Sequence, residues 1–444
     1  MRALVYGLAV TGEATVRALR RRGWSVVVAD DRGTDETRQL AVDLDVELVE
    51  RPSPADLATL VAGVDLVSPS PGLPEDHALM AATAAAGVPS WSEIELAYRW
   101  EQERPGGARP LLAVTGTDGK TTTTLLAAAM LEASGRKVAL AGNNDLPLVS
   151  AIELDVDVFV VECSSFRLAL TEQFRGEAAT WLNLAPDHLD WHRSLDSYED
   201  AKANVWAHQR PDDVAIGYAA DAIVSRHLAT APGRHVTFGA AGADYRAVGD
   251  ELVGPVGPIT SIDAMRRSLP HDVTNALAAA ATVLEPGLGR VDGVGAALAD
   301  FEGPSHRIQF VAEANEIAWF DDSKATTPHA AATAISGFHH VVLVAGGRNK
   351  GLDLRPLAAV VDHVRAVVAI GEAAPEVAAV FRGRVPVEEA SSMPAAVHAA
   401  RRLARPGDAV LLSPACASFD WYPNYAARGD DFTRLVLDEL GVRT

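Results

Sequence analysis

Short runs of Val, Leu and Ile, each bounded by Gly, Asp or Ser, alternate with Ala-, Leu- and Arg-rich stretches along nearly the whole chain. A strand covered on both faces reads as an unbroken apolar run, and its covering helix keeps one polar face, so the alternation predicts parallel βα units. The expected fold class is α/β. The first part reads as strand "RALVYG", helix "GEATVRALRRRG" and strand "SVVVADD", followed by "DLVSPSPG" and "GVPSWSEIELAY". It runs into "RWEQERPGGARP", Arg99 to Pro110, whose charged, Gly/Pro-rich composition predicts a linker. A second part starts at "LLAVTGTDGK" and continues through "VDVFVVECSS" and "AATWLNLAPDHLD". Its Gly-rich "GAAGADYRAVGDELVGPVGPITS" predicts a small β insertion ahead of the Ala-rich helix "VTNALAAAATVL". In a third part "EIAWFDDS", "HVVLVAGG", "AVVAIGE" and "AVLLSPAC" are strands, each followed by a helical pattern. The expected domains are residues 1–98, 99–303 and 304–444, the outer two Rossmann-like and the central one built on a mostly parallel sheet.

At 444 residues the chain exceeds what one ordinary core supports, which agrees with two or three domains. A net charge of -20 argues against nonspecific binding to nucleic acid or to an anionic membrane, while leaving room for a discrete anion pocket. Only Cys163 and Cys416 are present, each in an apolar or small-residue segment, so neither a disulfide framework nor a zinc site is expected. No apolar run is long enough to span a bilayer and "MRALVYGLAVTG" begins a strand at once, so a cytoplasmic protein is expected.

The segment "LLAVTGTDGKTTTTLLAAAML" carries the clearest chemistry. A tight Gly turn between a buried strand and a helix points backbone N–H groups outward at the positive end of the helix, and a lysine adds a mobile charge. That order fits a nucleotide phosphate cradle. The general G-x-x-x-x-G-K-[ST] loop needs Gly where Val114 stands, so Gly116, Gly119 and Lys120 make a shorter version, with Thr121 as the Mg²⁺-side hydroxyl. Glu162 ends the strand in "VFVVECSSF", where open α/β sheets bind ligands, and could hold Mg²⁺ or be a solvated strand-end acid. His188, with Asp187 and Asp190 beside it, and Lys202 in "SYEDAKANVW" read alone as ordinary loop and helix residues. In "FDDSKATTPHA", Asp322 could accept from a ribose and Lys324 could meet an anion, or the stretch could be a helix cap. "GGRNKG" and "SPACASFDWYPNYAARGDDF" share that position after strand ends. "YGLAVTGEA" is superficially a dinucleotide turn, but Ala9 replaces the glycine that lets a pyrophosphate approach, which disfavours a nicotinamide enzyme.

Taken together, "TGTDGKTTT", "ECSSF", "DHLD", the Tyr and Lys of "SYEDAK", "DDSKAT" and "SPACASFD" with "RGDDF" resemble the Mur ligases, over essentially the full chain. The resemblance implies an ATP-dependent amide ligase whose substrates are UDP-N-acetylmuramoyl-L-alanine and D-glutamate, working with two Mg²⁺ ions and as a monomer. It implies ATP contacts from Gly116, Thr117, Asp118, Gly119, Lys120, Thr121, Thr122, Asn275, Arg307 and Asp322. It implies metal contacts from Thr121, Glu162, His188 and Lys202, the last as a carbamate, and catalytic roles for Lys120, Glu162, His188, Lys202, Arg307 and Lys324. UDP-sugar contacts are implied for Val10, Thr11, Asp30, Arg32, Ser70, Gly72, Asn143 and His188, and D-glutamate contacts for Thr326, Lys350, Ser418 and Tyr425. The chain departs from the family pattern at Asp118, usually Asn, at Tyr425, usually Phe, and at Asn144 and Asp145, usually an apolar residue and Gly.

Overall fold

The computed structural model describes residues 1–143, 146–189 and 191–442. Asn144 and Asp145 in the muramoyl-side loop, and Asp190 beside His188, lie outside the described residues. The chain divides into two compact units, one comprising Met1–Ser268 with Asp272–Phe301, the other Leu269–His271 with the chain from Glu302 onward.

The first unit holds two parallel sheets. Strands β1 (Arg2–Tyr6), β2 (Ser25–Asp30), β3 (Glu47–Glu50) and β4 (Leu66–Pro69) lie in the order β3-β2-β1-β4. All neighbours in that sheet are parallel. Strands β5 (Leu111–Thr115), β6 (Val138–Gly142), β7 (Val158–Glu162), β8 (Ala178–Trp181), β9 (Val214–Tyr218) and β10 (Arg234–Phe238) lie in the order β10-β9-β8-β5-β7-β6, also parallel. In both sheets the strand order reverses next to a strand that leads into a Gly-rich turn, β1 and β5, which opens a crevice at that strand's carboxyl end. The expected β insertion is present as an antiparallel sheet of β11 (Arg246–Val248), β12 (Glu251–Gly254) and β13 (Gly257–Ser261).

Apolar packing fixes these sheets in place. The helix Lys120–Ala133 buries Leu126, Met130 and Leu131 against Leu112, Val114, Val158 and Val160, which seats its first turn at the end of β5. A second cluster runs from Val5, Leu8 and Val16 through Ile94 and Leu96 to Phe159, Val161 and Phe174, so one core joins the two parallel sheets. The helix Glu93–Gln102 sits at this junction and buries three acids, Glu93, Glu95 and Glu101, each hydrogen-bonded. Glu95 accepts from the Phe174 amide at 2.8 Å and from the Arg99 guanidinium at 2.6 Å.

The segment Arg99–Pro110, expected to be a linker, is not loose. Its first residues belong to that helix, and Arg109 makes a two-pronged bond to Glu101, at 2.8 Å from both Nε and Nη2. The Arg109 guanidinium also donates to the carbonyls of Leu154 and Ile152, both at 2.6 Å, and lies over the Phe159 ring. Residues 102–108 between these anchors are exposed, so the segment is an exposed connection tied down at both ends.

The second unit holds one sheet: β14 (Gln309–Ala314), β15 (Ile317–Asp321), β16 (Val341–Gly346), β17 (Val364–Ile370), β18 (Val387–Ala390) and β19 (Ala409–Leu412), ordered β14-β15-β19-β16-β17-β18. It is parallel except for β14, which is antiparallel to β15. The loops after β15, β16 and β19 therefore gather at one end.

Because the Glu101 and Arg109 side chains are only 5% and 9% exposed, Glu101→Ala would strand a buried guanidinium. The expected loss is roughly 3 to 5 kcal/mol of unfolding free energy, read as a fall in the urea midpoint of the first unit.

Candidate active site

The turn after β5 is shaped by glycine and clamped by one asparagine. Gly116 has φ 156°, and a Cβ there would lie 2.9 Å from the Leu182 Cβ. Gly119, the N-cap of the helix Lys120–Ala133, has φ 83°, a left-handed value that side chains disfavour. Asn183, at the end of β8, accepts at Oδ1 from the amides of Thr117 and Asp118, both at 2.9 Å, and returns its own amide to the Asp118 carbonyl. The turn is thus held open at the amino end of a helix, where unpaired amides and the helix dipole favour an anion.

Two lysines converge on this turn. Lys120 Nζ donates to the carbonyls of Gly116 at 2.8 Å and Thr117 at 2.7 Å, and Lys202 Nζ donates to the same Gly116 carbonyl at 2.7 Å. Lys202 is 1% exposed, and burial, reinforced by the Lys120 charge, pulls its ammonium well below the usual lysine range. Tyr198, one helical turn before Lys202, packs its ring 4.5 Å from Lys202 Nζ and shares a 3.0 Å hydrogen bond with the Thr117 hydroxyl.

Glu162 lies beside this turn, since it is register-paired with Val114 of β5 and with Gly142 of β6. It is 2% exposed; Oε1 accepts from Asn143 Nδ2 at 3.1 Å, while Oε2 is buried with no hydrogen-bond partner among the described residues. A buried carboxylate oxygen without a donor fits a hard cation. Among the described residues no group of three or more His, Cys, Asp or Glu side chains converges, so a metal here would draw on other oxygens as well. His188 adopts φ 55°, pairs with its neighbour Asp187 and lies against the rings of Phe166 and Tyr198. Asn275 reaches the helix Lys120–Ala133, accepting from the Thr123 hydroxyl at 3.4 Å. Thr121 is half-buried in the first helical turn, whereas Thr122 lines a small internal cavity with Leu126, Met265 and Phe301.

The first sheet presents its residues at the end of β1. Asp30 is buried and spans the turn, accepting from the amides of Leu8 and Arg32, both at 2.8 Å. Thr11 accepts from Arg167 Nη2 at 3.2 Å, Ser70 donates its amide to the Tyr6 carbonyl, and Val10, Arg32 and Gly72 are exposed.

In the second unit the loops after β15 and β19 are bound together by Arg428, which is 1% exposed. Its Nε donates to Ser323 Oγ at 2.9 Å, its Nη2 to the Ser323 carbonyl at 2.8 Å, and both terminal nitrogens to the Cys416 carbonyl at 3.2 Å. Burial brings the Arg428 guanidinium down to about 10. The next residue, Gly429, admits no side chain: a Cβ would lie 2.2 Å from His306 Nδ1 and 2.5 Å from Asp321 Oδ2. That leaves room for the 2.6 Å bond between His306 and Asp321. Arg307 is displayed between His306 and Ile308, both with positive φ. Lys324 Nζ lies 5.2 Å from the Tyr425 ring, and Thr326 is half-buried just beyond. Arg348 exchanges backbone bonds with Ala417, so the loop carrying exposed Lys350 abuts the one carrying buried Ser418. Asp322 is buried, accepting from Ser413 Oγ at 2.6 Å and the Ile308 amide at 3.2 Å. Burial pushes its carboxyl up to about 7, against the opposing effects of the Ser413 bond and the Arg307 charge.

Sequence reading gave no role to Asn183, Arg167 or His192, and used Tyr198 and Arg428 only as parts of the motifs "SYEDAK" and "RGDDF". Tyr198 was within reach, because its spacing from Lys202 puts both on one helix face. The others act through partners distant in the chain, as when buried His192 bridges Glu75 at 2.8 Å and Ser165 at 2.9 Å.

Two family models match the sequence, the Mur ligase middle domain over residues 114–283 and the Mur ligase glutamate ligase domain over residues 306–416. The UDP-N-acetylmuramoylalanine--D-glutamate ligase of Frankia casuarinae is 43% identical, with 99% of this chain and 94% of that protein aligned. The protein of the same name from Desulfosudis oleivorans is 39% identical over 98% of this chain and 95% of its own. Among solved structures, a pseudomurein peptide ligase type C from Methanothermus fervidus matches with a TM-score of 0.59 at 15% identity, covering 99% of each chain. MurF from Acinetobacter baumannii matches with a TM-score of 0.58 at 17% identity, covering 98% of this chain and 90% of that one. Those structural matches bear on the fold alone.

The raised Asp322 carboxyl has a pH consequence. A carboxyl whose folded value exceeds its ordinary 3.8 contributes stability below that value and loses it as pH rises toward about 7. Asp322→Asn should therefore gain on the wild type as pH rises from 4 to 8 in urea unfolding of the second unit; a difference that does not change with pH would contradict the assignment.

Proposed function

Because this chain belongs to the Mur ligase family, we propose that it is the ATP-dependent ligase that joins D-glutamate to UDP-N-acetylmuramoyl-L-alanine in peptidoglycan precursor synthesis. The observation that carries the reading is the clamped turn after β5, with its two lysines on one carbonyl. A cytoplasmic setting is supported by two free, buried cysteines and by the lack, among the described residues, of a helix long and apolar enough to cross a membrane.

The division of labour follows the division into residues 1–98, 99–303 and 304–444, with a sheet available to each substrate. The UDP-sugar lies at the turn after β1, near Val10, Thr11, Asp30, Arg32, Ser70 and Gly72, with Asn143 and His188 toward the muramoyl end. ATP phosphates lie on Gly116 to Thr122 with Lys120 and Asn275, and in the second unit Arg307 and Asp322 are assigned to the nucleotide. D-glutamate meets Thr326, Lys350, Ser418 and Tyr425.

In the reaction the L-alanyl carboxylate attacks the γ-phosphorus of ATP; an O–P bond forms, the bond to ADP breaks, and an acyl phosphate results. The D-glutamate amine then attacks the acyl carbon, loses a proton, and phosphate leaves as the amide forms. Lys120 and Arg307 offset charge on the transferred group, and Lys324 sits with the amine substrate.

Glu162 Oε2, with Thr121, His188 and Lys202, supplies oxygen and nitrogen donors for two Mg²⁺ ions, which when bound neutralise phosphate charge. An ammonium at Lys202 would oppose this. Burial favours its neutral amine, the form that adds to carbon dioxide: an N–C bond forms, a proton departs, and a cation becomes an anionic oxygen ligand.

Phosphate release with ATP and UDP-N-acetylmuramoyl-L-alanine should depend on D-glutamate and not on L-glutamate, L-alanine or diaminopimelate. Release driven by one of the others would assign a different ligase of the family. Lys202→Ala should lower turnover about 100-fold, on the scale of losing one charge-stabilising group, and short carboxylic acids should restore part of it; full activity without them would overturn the carbamate.

A further inference from the structure

Arg167 lies in the short helix Ser165–Leu168 that leaves β7, and it is 4% exposed. Its guanidinium reaches four acceptors: Nε donates to Glu93 Oε1 at 3.1 Å, Nη2 to Thr11 Oγ1 at 3.2 Å, and Nη1 to Asn143 Oδ1 at 2.7 Å and to Ser164 Oγ at 3.5 Å. Asn143 in turn donates from Nδ2 to Glu162 Oε1 at 3.1 Å, and from its backbone amide to the Glu162 carbonyl at 2.8 Å. Only one orientation of the Asn143 amide satisfies both neighbours, because a guanidinium can only donate and a carboxylate can only accept. Thr11, Arg167, Asn143 and Glu162 are thus linked by one chain of hydrogen bonds, in which Arg167 donates both ways and Asn143 donates on to Glu162. It runs from the first turn of the helix Val10–Arg21 to the carboxylate whose other oxygen has no donor among the described residues.

We propose that Arg167 is a positioning residue that couples occupancy of the turn after β1 to the orientation of Glu162, with Asn143 as the intermediate. The proposal rests on the ligase reading, which puts the UDP-sugar at one end of the chain and the nucleotide's metal at the other. Glu93 makes the coupling stiff. It is buried, accepts the Val149 amide at 3.2 Å with its second oxygen, and holds the guanidinium from behind. An anion seated beside Thr11 orders the guanidinium; the guanidinium orders Asn143, and Asn143 keeps Glu162 in the rotamer that leaves Oε2 free for a cation. Each ligand therefore removes part of the ordering cost of the other, which is positive coupling and must be reciprocal. A lysine could not take this place in the same way, since one ammonium on a flexible stem lacks the planar fork of donors that meets Glu93, Thr11 and Asn143.

The test is calorimetric titration of UDP-N-acetylmuramoyl-L-alanine into the full chain, alone and then saturated with Mg²⁺ and a non-hydrolysable ATP analogue. In the wild type the second condition should tighten binding about tenfold, within the usual range of such couplings. Arg167→Lys should bring the ratio close to one. Thr11→Val should do the same while leaving the buried Arg167–Glu93 pair intact, which covers the case where the arginine variant does not fold. A purely structural role would weaken both titrations equally and preserve the ratio. Wild-type protein that binds no UDP-sugar overturns the ligase reading together with this proposal. Sugar binding with a wild-type ratio near one, or with a ratio unchanged in Thr11→Val, overturns the coupling alone.

Discussion

One carbonyl oxygen, that of Gly116, accepts from two lysine side chains. The arrangement depends on a backbone conformation that places the position where a side chain would start against Leu182, so the residue has none. It also concentrates like charge in a buried place, which is stable only if one lysine gives up its proton or an anion joins them. Both outcomes are chemically useful. Lys120 is half-buried at the amino end of the helix Lys120–Ala133, while Lys202 is the group whose ammonium burial disfavours. In the proposed reading, a phosphate on the first and a carbamate on the second would resolve the same electrostatic conflict.

The surrounding structure serves to hold a few strand-end loops at fixed spacing. Asn183 ties the loop after β8 to the turn after β5, and Arg167 ties the loop after β7 to the turn after β1. Arg428 plays the comparable part in the second unit, gathering the loop after β15 and the loop after β19 around a buried guanidinium. In each case one multidentate side chain with several hydrogen bonds ties a loop to its neighbour. Parallel sheets make this possible because all their strands end on the same side.

Much of this was legible from residue order. β5, β7 and β16 are completely buried and read as unbroken apolar runs leading into Gly or an acid, so the α/β class and the turn with Lys120 could be recognised locally. Edge strands could not: β18 is "VEEA" and β3 is "ELVE", both half-exposed, with acids where an apolar pattern would be sought. The antiparallel β14 likewise breaks the expectation of purely parallel units. Arg167 is invisible for a different reason. Its meaning lies in Thr11, 156 residues away, and an isolated arginine after "ECSSF" carries no sign of that partner. The Glu101–Arg109 pair is hidden in another way, because the charged composition of its exposed segment does not show that these two side chains leave solvent.

The central claim is that the phosphate held by the Gly116 turn is transferred to a carboxylate. It is tested most directly with UDP-N-acetylmuramoyl-L-alanine carrying ¹⁸O in the L-alanyl carboxylate, followed by mass analysis of the phosphate released in the presence of ATP and D-glutamate. Formation of an acyl phosphate predicts one labelled oxygen in each released phosphate, because the carboxylate oxygen that attacked phosphorus leaves with it. Unlabelled phosphate formed at the same rate as the amide would contradict the account.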